Sequence, residues 1–290
     1  MAPDPRDPIE VAADAARVAA LALAEDGTRD ITSLVTIPVG QQATAAIEAR
    51  EAMVLAGRAY ADAVVAACAL PPIAWHAADG ESIAADTVVG TVRGDLRAIL
   101  RAERPLLNLL QRAAGIATMT RRYVEAAAGT PCRVLHTRKT TPGLRTFEIA
   151  AVLAGGGALH RWDLAHAVMV KDNHWQGIAA SGRTLADALA EARALGAVSL
   201  QVEVETEVQL DVAVAAGATR LLIDNQTPAT VRAWAARARA TTPDIEIEAT
   251  GGITLATLAD YAAAGADFVS TGALTHSVRA ADLGLEIIPG

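Results

Sequence analysis

From Arg133 to Ser270 one pattern recurs: a short apolar run, a polar turn, then an Ala/Leu-rich stretch of helical period. The runs read as strands at Arg133 to Thr137, Ala167 to Val170, Leu200 to Glu205, Arg220 to Ile223, Ile245 to Glu248 and Phe268 to Ser270. Their ends lie about 20 to 35 residues apart, as βα units require. An α/β barrel and an open doubly wound sheet both give this alternation. The placement of the polar residues separates them.

The stretch before Arg133 is mixed. Ile9 to Ala24 predicts a helix, Ala43 to Val54 and Ile73 to His76 predict strands or edges, and Leu96 to Ala127 predicts a long helix with Pro105 and Gly115 as kink points. Asp79-Gly80 and the run Val89 to Asp95 read as turn chemistry. A length of 290 residues suits two domains, or a barrel with an appendage. With 52% hydrophobic residues the chain can bury a large core, which excludes a disordered tail. A net charge of -8 and only 3% aromatics argue against nucleic acid as a partner. Cys68 and Cys132 have no metal or disulfide spacing and read as small core residues. No uncharged apolar run reaches about 18 residues, so no membrane span is expected. The opening Met1 to Asp7 is acidic and proline-broken, unlike a signal peptide, and the cytoplasm is the expected location.

Nearly every unusual polar residue falls at the C-terminal end of one of the six runs. They are Thr137-Arg138-Lys139, Lys171-Asp172-Asn173-His174, Gln201, Glu203 and Glu205, Asp224-Asn225, Glu248 with Thr250-Gly251-Gly252, and Ser270-Thr271-Gly272. In a closed α/β barrel those ends meet at one mouth, where barrel enzymes place their chemistry. Arg138, Lys139, Arg145, His160, Arg161 and Lys171 would form a positive half suited to a ligand with several carboxylates or phosphates. Glu203, Asp224 and Glu248 would form the opposite half, suited to a hard cation, ribose hydroxyls or developing positive charge. The glycines after the last strands could offer backbone N–H groups to a phosphate. His136, His166 and His174 lack zinc spacing and read as structural.

TRKTTPGLR (137–145), Gly155 to Arg161, KDNH (171–174), VEVE (202–205) and GALTHS (272–277) together resemble the quinolinate phosphoribosyltransferase family. The likeness also takes in Glu25-Asp26, Asp30-Ile31-Thr32, Glu103-Arg104 and Leu107 to Thr118, so it runs nearly end to end. It implies an N-terminal α/β sandwich, residues 1–107 with 277–290 returning, and an open, incomplete α/β barrel over 108–276. It implies transfer of phosphoribose from phosphoribosyl pyrophosphate to quinolinate, with decarboxylation to nicotinate mononucleotide. Lys139, Lys171, Glu203 and Asp224 would be catalytic. Arg104, Thr137, Arg138, His160, Arg161, Lys171, Gln201, Thr250, Gly251, Gly252, Gly272 and His276 would bind the substrates. Glu203 and Asp224 would hold Mg²⁺, and no organic cofactor is needed. The family's homodimer passes the arginine corresponding to Arg104 across its interface, and a trimer of such dimers is a larger form.

Several positions depart from the family pattern. His136 and His166 stand where Asp is usual, Ile149 where Lys is, Leu159 where Asn is, and Gln201 where a first Glu is expected; Arg29, Asp163 and Thr250 also differ. The dicarboxylate clamp is intact, while the ribose and metal side is altered. Two other readings stay open: a paralogue serving a different aromatic carboxylate, and a lyase using Lys139 or Lys171 as an imine-forming amine.

Overall fold

The computed structural model describes residues 4–288. Part of the opening read above, Met1 to Pro3, and the closing Pro289 and Gly290 lie outside the described residues. The chain divides into two compact units. One holds Arg122–Arg138 with Ala158–Ala273, and the other holds the chain up to Arg121, Lys139–Gly157 and the chain from Leu274 onward.

The chain opens with α1 (Pro8–Glu25), where Pro8 suits the first turn and the Asp7 carboxylate accepts from the Ile9 N–H at 2.8 Å. Next come α2 (Ile31–Thr36), β1 (Gln42–Ala49), β2 (Met53–Val54), α3 (Arg58–Ala67), β3 (Ala74–Trp75), β4 (Ser82–Ile83), β5 (Thr87–Asp95) and α4 (Leu96–Ala126). The second half runs β6 (Arg133–Leu135), α5 (Arg145–Ala154), β7 (Val168–Val170), α6 (Asp172–Ser181), α7 (Leu185–Ala194), β8 (Leu200–Val204), α8 (Glu207–Ala215) and β9 (Arg220–Asp224). It closes with α9 (Pro228–Thr241), β10 (Glu246–Thr250), α10 (Leu258–Ala263), β11 (Phe268–Ser270), α11 (Ala273–His276) and β12 (Leu283–Ile288). No helix among the described residues is long and apolar enough to cross a membrane.

The unit that includes the N-terminal segment has an antiparallel sheet in the order β12-β1-β5-β3. The C-terminal strand returns to this sheet, pairing Ala49 with Leu283 and Ala45 with Ile287. Val89 to Asp95, which reads as turn chemistry, is instead the body of β5. Gly90 serves there because a Cβ would lie 3.0 Å from the Trp75 ring, so the glycine lets β3 press onto β5. Pro105 and Gly115 do not divide α4, which is continuous through both. In the interior, Tyr60 meets Phe147 edge-on at 4.7 Å and donates its hydroxyl to Asp14 at 2.8 Å.

All six runs that read as strands in the repeating half are strands. They form one parallel sheet in the order β6-β11-β10-β9-β8-β7. The terminal strands β6 and β7 do not pair with each other, so the α/β barrel is open. All five residues of β8 are buried, as expected of a parallel strand covered on both faces. Register aligns Gln201 with Arg220, Glu203 with Leu222, Leu222 with Glu248, and Asp224 with Thr250. Because side chains alternate along a strand, these residues share one face. The Arg220 guanidinium reaches across β10 to lie 4.1 Å from the Phe268 ring centre.

Candidate active site

Arg138 follows β6, and Arg161 lies in the irregular stretch between α5 and β7. Arg161 is only 8% exposed. Burial, then the like charge of Arg138, pulls its guanidinium below the ordinary arginine range. The Arg138 Nε is buried without a hydrogen-bond partner among the described residues. Two neighbouring guanidinium groups, one desolvated and one with an unused buried donor, are stable together when an anion lies between them.

Lys171 closes β7 and caps α6. Its N–H donates to His174 Nδ1 at 3.1 Å, and Trp175 Nε1 donates to the Glu203 carbonyl at 2.8 Å, which fastens the start of α6 to β8. The KDNH motif is thus a cap as well as a source of charge. Lys171 Nζ donates to the Glu203 carboxylate. The two halves of the mouth therefore touch, where the sequence reading set them apart. An ion pair of this kind suits a cation, not the neutral amine that imine formation needs.

On the next strands Asp224 accepts from Asn225 Nδ2 at 2.6 Å, while the Asn225 N–H donates to the Thr250 carbonyl at 3.0 Å. Gly251 follows at φ +81°, and a Cβ there would come within 2.6 Å of Asp224 Oδ1 and would also strike Asn225 Oδ1. Only glycine fits, and Gly252 at φ +61° has open space above it. Thr271 donates its hydroxyl to the Ile253 carbonyl at 3.2 Å, and Gly272 is buried beside it. The ends of β9, β10 and β11 thus carry the Asp224 carboxylate and the Gly251-Gly252 and Gly272 backbone.

Glu248, assigned above to the acidic half of the mouth, is buried at 1% exposure, at the level of Leu222 that Glu203 also shares. Its carboxylate accepts from His160 Nε2 at 3.1 Å and Arg220 at 3.3 Å. Burial pushes its carboxyl up, but the His160 contact, the Ser270 hydroxyl and Arg220 outweigh that and hold it below the ordinary carboxylate range. Gln201 is buried in the same face; its amide donates to Ser199 Oγ at 3.1 Å and its carbonyl oxygen has no hydrogen-bond partner among the described residues.

Residues 30–114 match the model of the quinolinate phosphoribosyl transferase N-terminal domain, and residues 116–286 match that of its C-terminal domain. This chain belongs to the quinolinate phosphoribosyltransferase family. A probable carboxylating nicotinate-nucleotide pyrophosphorylase of Bacillus subtilis is 40% identical over 73% of this chain and 72% of its own length. The carboxylating nicotinate-nucleotide pyrophosphorylase of Mycobacterium leprae is 36% identical over 89% of this chain and 91% of its own. The solved nicotinate-nucleotide pyrophosphorylase from Francisella tularensis superposes with a TM-score of 0.88 at 32% identity, covering 96% of this chain and 97% of that one.

Three residues of the quinolinate phosphoribosyltransferase pattern belong to the other unit. Arg104 is exposed on α4, with a guanidinium nitrogen 3.9 Å from Glu103. Lys139 is exposed, and its carbonyl accepts from the Thr275 hydroxyl at 2.6 Å. His276 is exposed, with Nδ1 2.6 Å from Ser277 Oγ. Among the departures, His136 is fully buried, while His166 is exposed and tilted over Trp162 at 4.1 Å.

The sequence reading missed Glu148. Fully buried on α5, it accepts from Arg112 at 2.7 Å and from the Thr141 N–H and hydroxyl at 3.0 and 2.8 Å. TRKTTPGLR is therefore partly a structural loop, fixed by a carboxylate outside the motif. A buried glutamate among apolar helix residues was the available signal.

No group of three or more metal-ligating side chains occurs among the described residues. Glu203 and Asp224, hard oxygen donors on adjacent strands, suit Mg²⁺ held by one or two carboxylates together with substrate phosphates.

Proposed function

We propose that this chain transfers phosphoribose from phosphoribosyl pyrophosphate to quinolinate and releases pyrophosphate and carbon dioxide, forming nicotinate mononucleotide. The observation that carries this reading is the Arg138 and Arg161 pair, whose buried positive charge and unused Nε donor suit a dicarboxylate. Bidentate contacts from that pair would fix the pyridine ring so that its nitrogen faces the anomeric carbon.

The ring nitrogen forms its bond to the anomeric carbon as the bond to pyrophosphate breaks, the electron pair leaving with pyrophosphate. Positive charge grows on the sugar during this exchange, and Glu203 and Asp224 provide fixed negative charge toward it. Glu203 and Asp224 would hold Mg²⁺, which when bound would supply positive charge toward the leaving pyrophosphate. The Gly251-Gly252 backbone, Thr250 and Gly272 would receive the 5'-phosphate. Alkylation makes the ring cationic. The bond to the adjacent carboxylate then breaks, carbon dioxide departs, and the electron pair left on the ring carbon takes up a proton.

Lys139, Lys171, Arg104, Thr137 and His276 belong to the same reading, as do a homodimer in which Arg104 serves the neighbouring subunit and a cytoplasmic location. The test is direct. Purified protein with Mg²⁺, phosphoribosyl pyrophosphate and quinolinate should release pyrophosphate and yield nicotinate mononucleotide, while nicotinate or phthalate should not replace quinolinate. Turnover of another aromatic carboxylate in preference to quinolinate would establish the paralogue instead.

A further inference from the structure

Trp175 touches both members of the Lys171 and Glu203 ion pair. Its backbone N–H donates to the Lys171 carbonyl at 2.9 Å in the first turn of α6, and its indole Nε1 donates to the Glu203 carbonyl at 2.8 Å. Because Lys171 Nζ in turn donates to the Glu203 carboxylate, these contacts close a ring through three residues. None of the residues of α6 is buried, so apolar packing contributes little to seating this helix. The polar ring carries much of the attachment.

The sheet shows why the Glu203 carbonyl takes a side-chain donor. In parallel strands the backbone groups of successive residues point to opposite neighbours. The Leu200 carbonyl accepts from the Thr219 N–H at 2.8 Å, on the side of β9, so the Glu203 carbonyl points the other way, toward β7. That neighbour stops one residue short. Val170, the last residue of β7, aligns with Val202, and Lys171 already turns away as the cap of α6. A carbonyl left without a donor here would lose a hydrogen bond at a residue only 7% exposed, and the indole N–H supplies what a longer β7 would have offered.

We propose that Trp175 is a positioning residue for Glu203: its indole N–H completes the end of β8 on the side that β7 leaves open, and so fixes the Glu203 carboxylate beside Lys171. It acts through Glu203 and contacts no reacting atom. This deepens the phosphoribosyltransferase reading and rests on it only for the part Glu203 takes in turnover. Without the indole donor Glu203 is held from β9 alone. A small displacement of a charge placed for a developing cation then costs rate far more than it costs ground-state binding.

Two double-mutant cycles on the full-length protein test it, one in steady-state turnover and one without substrate. Trp175→Phe, which removes the N–H and keeps a ring, should lower kcat about tenfold, with the quinolinate KM changed less than about fivefold. In a Glu203→Gln background the same change should alter kcat less than about twofold, since the carboxylate it places is gone. The substrate-free cycle reads acetylation of Lys171 by acetic anhydride; Lys171 is one of two lysines in the chain and is measured on its own peptide. Glu203→Gln should speed that labelling about fivefold and Trp175→Phe at least about twofold. The double variant should match Glu203→Gln. A kcat unchanged by Trp175→Phe, or additive effects in either cycle, would overturn the inference, because a helix merely loosened by the substitution would respond in both backgrounds. If Trp175→Phe does not fold, benzothienylalanine at position 175, with sulfur in place of the N–H, replaces it in both cycles. Absence of phosphoribosyl transfer with the labelling cycle as stated would remove the proposed function alone.

Discussion

Lys171 Nζ and the Glu203 carboxylate form an ion pair between the ends of β7 and β8, joining a cation suited to quinolinate to a carboxylate suited to the sugar. A substrate carboxylate that takes Lys171 must compete with Glu203. With the Lys171 side chain 40% exposed, the pair is worth on the order of 1 kcal/mol, or about fivefold in binding. Glu203→Gln should therefore bind quinolinate about fivefold more tightly by calorimetry while turnover falls on the order of a hundredfold. Tighter binding without the fall in rate would mean that Glu203 only restrains the lysine.

Arg138 and Arg161 repel each other at a desolvated site. Arg138→Ala should leave the melting temperature unchanged or raised, since it relieves the like charge on Arg161. The same change should weaken quinolinate binding by about 2 to 4 kcal/mol, the cost of losing a charge-assisted bidentate contact. A drop in melting temperature with intact binding would show that Arg138 supports the fold instead.

The barrel was legible because its strands are short apolar runs closed by polar turns, and Phe268 to Ser270 has the bounds read from sequence. The strand at Val89 to Asp95 was not. Gly90 and Gly94 look like turn residues, and their real purpose, room for a neighbouring strand and side chains, depends on residues that approach only in the fold. The chemistry at the strand ends was likewise visible as residue types. The partners of each carboxylate were not, because Glu203 and Glu248 both align with Leu222 and are both buried, and what sets them apart is the contact each makes in the fold, Lys171 for one and His160 with Arg220 for the other. Glu148 stayed hidden for the same reason: its partners Arg112 and Thr141 come from different segments.

Removing one member of the Arg112 and Glu148 pair strands a fully buried carboxylate. Arg112→Ala should lower stability by about 3 to 5 kcal/mol in urea unfolding. Adding Glu148→Ala should recover part of that loss, but not all, because Glu148 also holds the Thr141 N–H and hydroxyl. Full additivity of the two changes would show that they do not interact.

Gly251 combines φ +81° with a Cβ position already filled by Asp224 and Asn225 oxygens. Gly251→Ala should cost about 1 to 3 kcal/mol from backbone strain and raise the KM for phosphoribosyl pyrophosphate, leaving quinolinate binding intact. Equal effects on both substrates would mean that the loop deforms as a whole and is not a local cradle.

Glu248 gives the acid limb of stability a defined origin. Its carboxyl is held below the ordinary glutamate value of 4.5, so the ionised form favours the folded state. That contribution is complete above pH 4.5 and disappears as the pH falls through the lower, folded-state value. Glu248→Gln lacks it at every pH and leaves Arg220 with Glu246 as its remaining ion-pair partner among the described residues. At pH 7 the variant should therefore melt below the parent protein, and the gap should shrink as the pH is lowered from about 5 to about 3. Calorimetric scans across that range decide the matter: a gap that stays constant would place the acid sensitivity on other carboxylates and remove Glu248 from the account.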